Sequence, residues 1–174
     1  MKNVLVVVDM QNDFLTGALG SPEARAVVER VREKIDSFRG EVIFTRDTHE
    51  DTYLETREGK YLPVSHCIRG TEGWQITGEL ETNGRAVINK PTFGSVLLAE
   101  MLSEMNEREG IGSVTLVGVC TDICVISNAM LIKAYLPEID VIVDATACAG
   151  VTPESHENAL NAMRACQIIV ENDS

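Results

Sequence analysis

The sequence predicts a single α/β domain spanning 1–174, with six strands in a mainly parallel sheet and helices on both faces, a Rossmann-like three-layer arrangement. Two observations indicate this class. Short apolar runs alternate along the chain with longer segments whose apolar residues recur at helical spacing. The length of 174 residues is that of one ordinary domain. Strands separated by helices are joined by crossovers, which make the strands parallel.

The first elements follow from apolar patterning and from helix end signals. Val4–Val8 is apolar at every position, which is typical of a strand buried on both faces. Pro22–Phe38 repeats apolar residues at helical spacing, and Ser21 is placed to cap this helix. Gly40 is placed to end it. Val42–Thr45 is the second predicted strand.

A polar stretch from residue 46 to about residue 83 follows the second strand and has no sustained periodicity. It is much longer than the usual connection of about 2–6 residues in α/β units. Long loops of compact domains are more often functional than idle. We therefore predict that 46–83 is an insertion loop that carries part of a functional site.

The rest of the chain continues the alternation of strands and helices. In chain order we predict a strand at Ala86–Asn89, a helix at Ser95–Glu107, a strand at Val114–Val117, a helix at Cys124–Tyr135, a strand at Asp140–Val143, a helix at Pro153–Cys166 and a strand at Gln167–Val170. No internal repeat or low-complexity segment interrupts this order. The six strands are therefore expected to form one sheet.

Composition and charge restrict the classes of partner. Apolar residues make up 44% of the chain and charged residues 24%, which is close to the average for folded proteins. The chain has 15 basic and 27 acidic residues, a formal net charge of −12. Nucleic acids and anionic membranes require clustered lysine and arginine. We therefore expect no nucleic-acid partner and no membrane partner.

The cysteines and the first apolar run indicate a cytoplasmic protein with free thiols. The early run Val4–Val8 is bounded by Lys2 and Asp9, and it is too short for a signal-peptide core or a membrane span. Five cysteines are an odd number in a chain long enough to fold without disulfides.

Chemically useful side chains follow three of the predicted strands. Asp9 ends the first strand, Lys90 ends the third, and Cys124 lies in the turn after the fourth. Ligands of open parallel sheets bind outside the carboxyl ends of the strands. A carboxylate, an ammonium group and a thiol are therefore expected to converge on one rim of the sheet.

These three groups suit nucleophilic catalysis. Cys124 lies where a turn enters a helix, and the N–H groups there favour a thiolate and could hold an oxyanion. Asp9 could accept the thiol proton, while Lys90 would favour both anions. Taken singly, Asp9 could instead cap a turn and Lys90 could be a solvated strand end. No histidine lies near Cys124 in sequence, so nothing supports a Cys/His pair.

The remaining cysteines have a simpler interpretation. Free cysteine is among the most buried residue types, and a buried thiol is usually inert. We expect this of Cys148 and of Cys166, the latter on an apolar helical face, and we expect Cys120 to be structural. A metal site built on Cys120 and Cys124 is not supported, because no second pair completes it.

A second constellation lies in the insertion loop. Asp47 and His49 are followed by His66, with Glu58 between them. One carboxylate and two imidazoles are a common ligand set for Zn²⁺, Fe²⁺ or Mn²⁺, with positions left open for a substrate. The alternative is a polar surface loop with incidental histidines. His156 falls in a predicted helix, where we expect it to cap or pack.

Three segments resemble the signatures of the isochorismatase-like cysteine hydrolases. They are Asp9–Phe14 (DMQNDF), Lys90–Ser95 (KPTFGS) and Gly118–Val125 (GVCTDICV). Segments of the insertion loop are similar to the nicotinamidase/pyrazinamidase branch of that family. They are Arg46–His49 (RDTH), Pro63–Cys67 (PVSHC) and Gly70–Trp74 (GTEGW). The resemblance spans nearly the whole chain.

The resemblance implies roles for the residues at the rim. It makes Asp9, Lys90 and Cys124 a catalytic triad. It also implies a cis peptide bond between Val119 and Cys120, with the backbone N–H groups of Cys120 and Cys124 forming an oxyanion hole. One departure is that Cys120 stands at a position that is usually alanine.

The resemblance further implies a site for one divalent metal ion, Zn²⁺ first, with Fe²⁺ or Mn²⁺ as alternatives. Asp47, His49 and His66 match the family's ligands, and Glu58 matches a fourth ligand of some members with an offset of one residue. Phe14 and Trp74 would line the pocket for the substrate ring. Thr48 departs from the aromatic residue that often stands between the aspartate and the histidine ligands.

The activity implied by the resemblance is hydrolysis of a small amide, nicotinamide or pyrazinamide, through a cysteine thioester. A homo-oligomer is also implied, and we assign Met101, Met105 and Met130 to exposed helical positions that permit one. One alternative is a metal-independent amidohydrolase of the same superfamily acting on a carbamoyl or ureido compound. Another is a non-catalytic binding module. A nucleotide-binding protein is disfavoured because the first strand is not followed by a glycine-rich loop.

Overall fold

The computed structural model describes residues 1–173, and it contains the predicted six-stranded sheet with every strand pair parallel. The strand order is β3-β2-β1-β4-β5-β6. The strands are β1 (Lys2–Val8), β2 (Glu41–Asp47), β3 (Ala86–Lys90), β4 (Ile111–Val119), β5 (Asp140–Ala149) and β6 (Ile169–Glu171). The chain order reverses between β1 and β4, so this is the switch point where ligand sites of such sheets form.

Helices cover both faces of the sheet, which confirms the three-layer prediction. They are α1 (Asn12–Leu15), α2 (Pro22–Ala26), α3 (Val28–Ser37), α4 (Arg57–Tyr61), α5 (Val96–Glu109), α6 (Ile126–Tyr135) and α7 (Pro153–Ala165). Alternate residues of β1 face opposite sides. Val6 belongs to a core formed with α5, α6 and α7, whereas Val7 belongs to a core formed with α1, α2 and α3. Two hydrophobic cores therefore hold the sheet from both sides.

The helix predicted over Pro22–Phe38 is divided into α2 and α3. The break falls at Val27, whose N–H group bonds to the carbonyl of Arg25 rather than to a residue four positions earlier. The second helix ends at Ser37, before Gly40. A Cβ atom at Gly40 would lie 2.1 Å from the backbone oxygen of Asn3, so glycine is required there by the close approach of β1.

Both β4 and β5 are longer than predicted. Their pairing register shifts after Leu116, so that Gly118 pairs with Cys148. Gly118 follows this shift with φ of +115°, and a Cβ atom there would lie 2.1 Å from the oxygen of Val8. Glycine at 118 therefore lets β4 pack closely on β1 just before the turn that carries Cys124. The extended β5 includes Asp144, whose charge is compensated by Lys34 at 2.7 Å.

The long segment after β2 contains short helical elements that its sequence does not indicate. A 3₁₀ turn covers Tyr53–Glu55, and α4 follows it directly. The side chain of Thr56 caps α4 by accepting the N–H of Gly59 at 3.0 Å. Because α4 is too short to show apolar periodicity, the sequence pattern does not reveal this helix.

Two assignments of exposure need correction. Cys166 is exposed rather than on a buried helical face, because α7 ends at Ala165 and Cys166 already leaves the helix. Met105 is buried in the core under α5, and Met101 and Met130 are partly buried against it. These methionines therefore do not form the exposed apolar set that was proposed to permit an oligomer.

All five cysteines are free, as predicted. Among the described helices, none is both long and apolar enough to cross a bilayer.

Candidate active site

The structure brings Asp9, Lys90 and Cys124 together at the carboxyl rim of the sheet. Asp9 follows β1 in a left-handed conformation, with φ of +49°. Lys90 is the last residue of β3, and Cys124 lies in a π-helical turn, Thr121–Val125, between β4 and α6. The neighbouring strand β2 contributes Thr45, whose hydroxyl donates to Oδ1 of Asp9 at 2.7 Å.

Lys90 is the centre of this group. Its Nζ atom lies 2.7 Å from Oδ2 of Asp9 and 3.4 Å from Sγ of Cys124. It also donates to the backbone oxygen of Thr92 at 3.2 Å. Lys90 and Asp9 are fully buried. A buried lysine needs paired anions, so the ion pair explains how the ammonium group is retained inside the protein.

Burial raises the pKa of the Cys124 thiol well above its usual range, and the adjacent Asp9 carboxylate acts in the same direction. Lys90 opposes this change without overcoming it. Burial also raises the pKa of Asp9. Burial therefore outweighs the positive charge of Lys90, and the thiol form is favoured. The resting group is a thiol beside a carboxylate that can accept its proton.

Burial lowers the pKa of Lys90, but the negative groups around it, Asp9 first, raise it to a larger extent. The net pKa lies above the usual lysine value, so the side chain is positively charged at neutral pH. The fixed positive charge therefore lies where a thiolate and a carboxylate would alternate during proton transfer.

The turn that carries Cys124 begins with a cis peptide bond between Val119 and Cys120, as the resemblance implied. The turn is held from α7 by His156, whose Nδ1 lies 2.7 Å from Oγ1 of Thr121. Burial lowers the pKa of His156. His156 thus packs against the turn, as expected, and is not part of the metal-ligand cluster described next.

Asp47, His49, Glu58 and His66 form a compact cluster. Their candidate ligand atoms all lie within 4.8 Å of one another. Nε2 of His49 is 2.9 Å from Oδ2 of Asp47 and 3.5 Å from Oε1 of Glu58. Nε2 of His66 is 3.6 Å and 3.9 Å from the same two oxygens. The sequence predicted these four residues as ligands, and α4 brings Glu58 to the other three.

The histidines of this cluster are oriented for coordination. Nδ1 of His66 is 2.8 Å from the backbone oxygen of Val64, so it carries the proton and leaves Nε2 as an electron-pair donor. The ring of Tyr53 packs on both imidazoles, at 4.7 Å from His49 and 4.9 Å from His66. Burial raises the pKa of Tyr53 to about 12, so the phenol is neutral.

The donor set fits a divalent cation. Oδ1 of Asp47 is buried and has no hydrogen-bond partner among the described residues. The ammonium group of Lys90 lies 3.6 Å from it, so the oxygen keeps a lone pair available to a metal cation. Burial raises the pKa of Asp47, but the adjacent imidazoles of His49 and His66 hold it below its usual range, so it is ionised. Two carboxylates and two imidazoles match the ligands of Zn²⁺, Fe²⁺ and Mn²⁺.

The cluster and the Cys124 group adjoin one cavity of about 370 Å³. Nζ of Lys90 lies 3.6 Å from Oδ1 of Asp47, so the two groups are direct neighbours. Cys124 and Asp47 line the cavity, and most of its remaining lining is apolar. The other lining residues are Phe14, Leu19, Ser21, Glu58, Tyr61, Leu62, His66, Phe93, Cys120, Ile123 and Val151.

The two residues expected to hold a substrate ring differ in position. Phe14 lines the cavity, and its ring lies 5.7 Å from that of His66. Trp74 is not among the lining residues that the structure describes. Its Nε1 donates to the hydroxyl of Thr48 at 2.9 Å, and the guanidinium of Arg46 stacks 3.5 Å from the ring. These contacts fix the indole beside Thr48, so its assignment to the ring pocket stays a prediction.

The sequence pattern does not indicate two residues that hold the site together. The side chain of Gln11 accepts the N–H of Asp47 at 2.7 Å and donates to its carbonyl at 2.8 Å. Oδ2 of Asp13 accepts the N–H of Cys67, next to His66, at 2.7 Å. Both residues lie in the first signature segment, close to Asp9. Their polarity directly after a buried strand is the signal that could have identified them.

Known proteins resemble this chain over nearly its whole length. Residues 3–173 match the isochorismatase domain. The nicotinamidase/pyrazinamidase of Mycobacterium tuberculosis is 29% identical over 94% of this chain and 95% of its own. The pyrazinamidase of Pyrococcus horikoshii in complex with zinc superposes with a TM-score of 0.83, at 28% identity, covering 98% of each chain.

A relative with another substrate is nearly as similar. The N-carbamoylsarcosine amidase of Thermoplasma acidophilum superposes with a TM-score of 0.79, at 28% identity, covering 100% of this chain and 99% of its own. Similarity of the fold therefore does not select one substrate.

Proposed function

We propose that this chain, which belongs to the isochorismatase family, is a metal-dependent amidohydrolase. Its substrate is nicotinamide or a close analogue such as pyrazinamide, and the products are the carboxylate and ammonia. One observation carries this proposal: a buried Asp9–Lys90–Cys124 group adjoins the Asp47–His49–Glu58–His66 cluster at a single apolar cavity. An insertion loop at 46–83 supplies the cluster.

The acylation step begins with proton transfer from the thiol of Cys124 to the carboxylate of Asp9. Sγ then attacks the carboxamide carbon, and the carbonyl oxygen becomes an oxyanion. The backbone N–H groups of Cys120 and Cys124 are the proposed donors to that oxyanion. Asp9 returns the proton to the amide nitrogen, ammonia leaves, and a thioester remains on Cys124.

The deacylation step uses the same groups. Asp9 takes a proton from a water molecule, which attacks the thioester carbon. The intermediate then releases the carboxylic acid, and Asp9 returns its proton to Sγ, which restores the thiol of Cys124. The raised pKa of Asp9 suits a group that alternately accepts and donates a proton. Lys90 stays charged throughout and stabilises whichever of its two neighbours is anionic.

Asp47, His49, His66 and Glu58 are the residues that would hold the metal ion. When bound, a divalent ion supplies a Lewis-acid site that can coordinate a ring nitrogen and orient the substrate. Phe14 packs beside His66 and limits the space in which a planar ring can lie. Orientation of the carboxamide toward Cys124 is therefore shared between the metal-ligand cluster and the apolar wall.

The charge of the cavity favours a neutral substrate over an N-carbamoyl amino acid. No lysine or arginine lines the cavity among the described residues, whereas Asp47 and Glu58 do. Two carboxylates balance the charge of one divalent ion, so the loaded cluster offers little net attraction for a carboxylate. A substrate carboxylate buried there would lack a partner, which is costly.

Measured specificity tests this proposal. We expect kcat/KM for nicotinamide to exceed that for N-carbamoylglycine by about 100-fold or more, because the carboxylate of the second compound would be left unpaired. Initial rates of ammonia release from the zinc-loaded protein measure both values. The methyl ester of N-carbamoylglycine is the matched control for charge. Faster turnover of the free acid than of nicotinamide would favour the carbamoyl alternative instead.

The homo-oligomer and the cytoplasmic location stay predictions.

A further inference from the structure

The side chain of Asn128 connects the backbone of Cys124 to the chain segment that follows Lys90. Asn128 lies on α6, one turn after Cys124, and is completely buried. Nδ2 donates to the backbone oxygen of Cys124 at 2.8 Å and to that of Phe93 at 3.1 Å. Oδ1 accepts the N–H of Ser95 at 2.9 Å. Only this orientation of the amide fits, since the reverse would place its oxygen against two carbonyl oxygens.

The sheet alone does not determine how far Lys90 is from Cys124. Lys90 ends β3 and Cys124 follows β4, and two other strands, β2 and β1, lie between these in the sheet. A direct connection across the rim runs through Asn128. The chain segment 91–95 follows Lys90, and Thr92 in that segment accepts a hydrogen bond from Nζ of Lys90.

The segment 91–95 also packs tightly on α6 beside Asn128. A Cβ atom at Gly94 would lie 3.2 Å from the backbone oxygen of Ser127. Glycine at this position therefore allows the close approach in which Asn128 reaches the carbonyl of Phe93. The hydrogen bonds and the tight packing act on the same pair of segments.

We propose that Asn128 is a positioning residue that fixes the distance between Nζ of Lys90 and Sγ of Cys124. It acts through the backbone of Cys124 on one side and through the segment 91–95 on the other. It does not touch the reacting atoms. This inference rests on the proposed amide hydrolysis for its kinetic consequence, but the geometry that it describes is independent of the substrate.

Two variants at position 128 separate the connection to Cys124 from the connection to the segment 91–95. Asn128→Ala removes both, whereas the hydroxyl in Asn128→Ser can bond to the carbonyl four residues earlier, which is that of Cys124. We expect kcat for nicotinamide to fall by about 10- to 100-fold in Asn128→Ala, with KM changed less than about threefold, because orientation of the reacting groups is lost while binding is kept. The kcat of Asn128→Ser is expected to lie between that of Asn128→Ala and that of the wild type.

Gly94→Ala perturbs the same contact without leaving a polar group unpaired. It is expected to lower kcat by a few-fold in the same direction, at unchanged metal content. If Asn128→Ala does not fold, Gly94→Ala tests the positioning role instead. Ile132→Val, a core substitution on α6, is the matched control that should lower the melting temperature slightly and leave kcat unchanged.

Alkylation by iodoacetamide provides a readout that needs no amide substrate. The rate of alkylation at Cys124, followed by peptide mass, is expected to fall at least about threefold in Asn128→Ala. The reason is that the thiolate, which is the form that reacts, loses the nearby ammonium group of Lys90 that stabilises it. If kcat and the alkylation rate both stay at the wild-type level while only the melting temperature falls, Asn128 is merely structural and the inference is wrong. Slower alkylation without ammonia release by the wild type would contradict the proposed function alone.

Discussion

Replacing Cys124 with alanine is expected to abolish ammonia release from nicotinamide, with a loss on the order of 10⁴-fold or more in kcat. The reason is that Sγ of Cys124 is the proposed nucleophile, and no other thiol lies against Lys90 in the described residues. The buried side chain is small, so alanine should preserve the fold and the cavity. Metal content and equilibrium binding of nicotinamide are expected to stay at wild-type levels.

Cys166→Ala is the matched control for this substitution, because Cys166 is exposed at the end of α7 and distant in sequence from the site. It should leave kcat and KM unchanged. Ammonia release by Cys124→Ala at a rate comparable to wild type would contradict the thioester mechanism. Loss of metal in Cys124→Ala would instead indicate that the variant disturbs the whole cavity.

The double substitution His49→Ala with His66→Ala is expected to remove the bound metal and to raise KM for nicotinamide at least about tenfold. Both imidazoles present Nε2 to Asp47 and Glu58, so their removal leaves two carboxylates alone in a partly buried site. Elemental analysis of the purified variant measures the metal, and initial rates of ammonia release measure KM.

His156→Ala is the control for this experiment, since His156 is the remaining histidine and bonds to Thr121 rather than to the cluster. It should retain the metal at the wild-type level. If the double variant retains it as well, the metal site has been misassigned.

The strands of the sheet and the position of the site could be predicted from local patterns. Runs such as Val4–Val8 show strands buried on both faces, and parallel strands align their carboxyl ends. Asp9 and Lys90 therefore had to lie at the same rim. Asp47, His49 and His66 could be chosen by their chemistry, whereas Glu58 was implied as a ligand only by the family resemblance. The approach of Glu58 to the other three depends on α4, which has no sequence signal of its own.

The parts that could not be predicted depend on tertiary contacts. The pKa of the Cys124 thiol is raised by its burial in the core, which its sequence position at a helix entry does not indicate. The position of the Trp74 indole depends on its hydrogen bond to Thr48, a contact that the sequence does not reveal. Asn128 resembles any polar helical residue until its three partners are seen together.

Ammonia release from nicotinamide, measured before chelation, after chelation and after restoration with Zn²⁺, Fe²⁺ or Mn²⁺, tests the proposed function most directly. Metal-dependent amide hydrolysis predicts release by the loaded protein, loss of release on chelation, and recovery when a divalent ion is returned. The absence of ammonia under every metal condition would contradict the account.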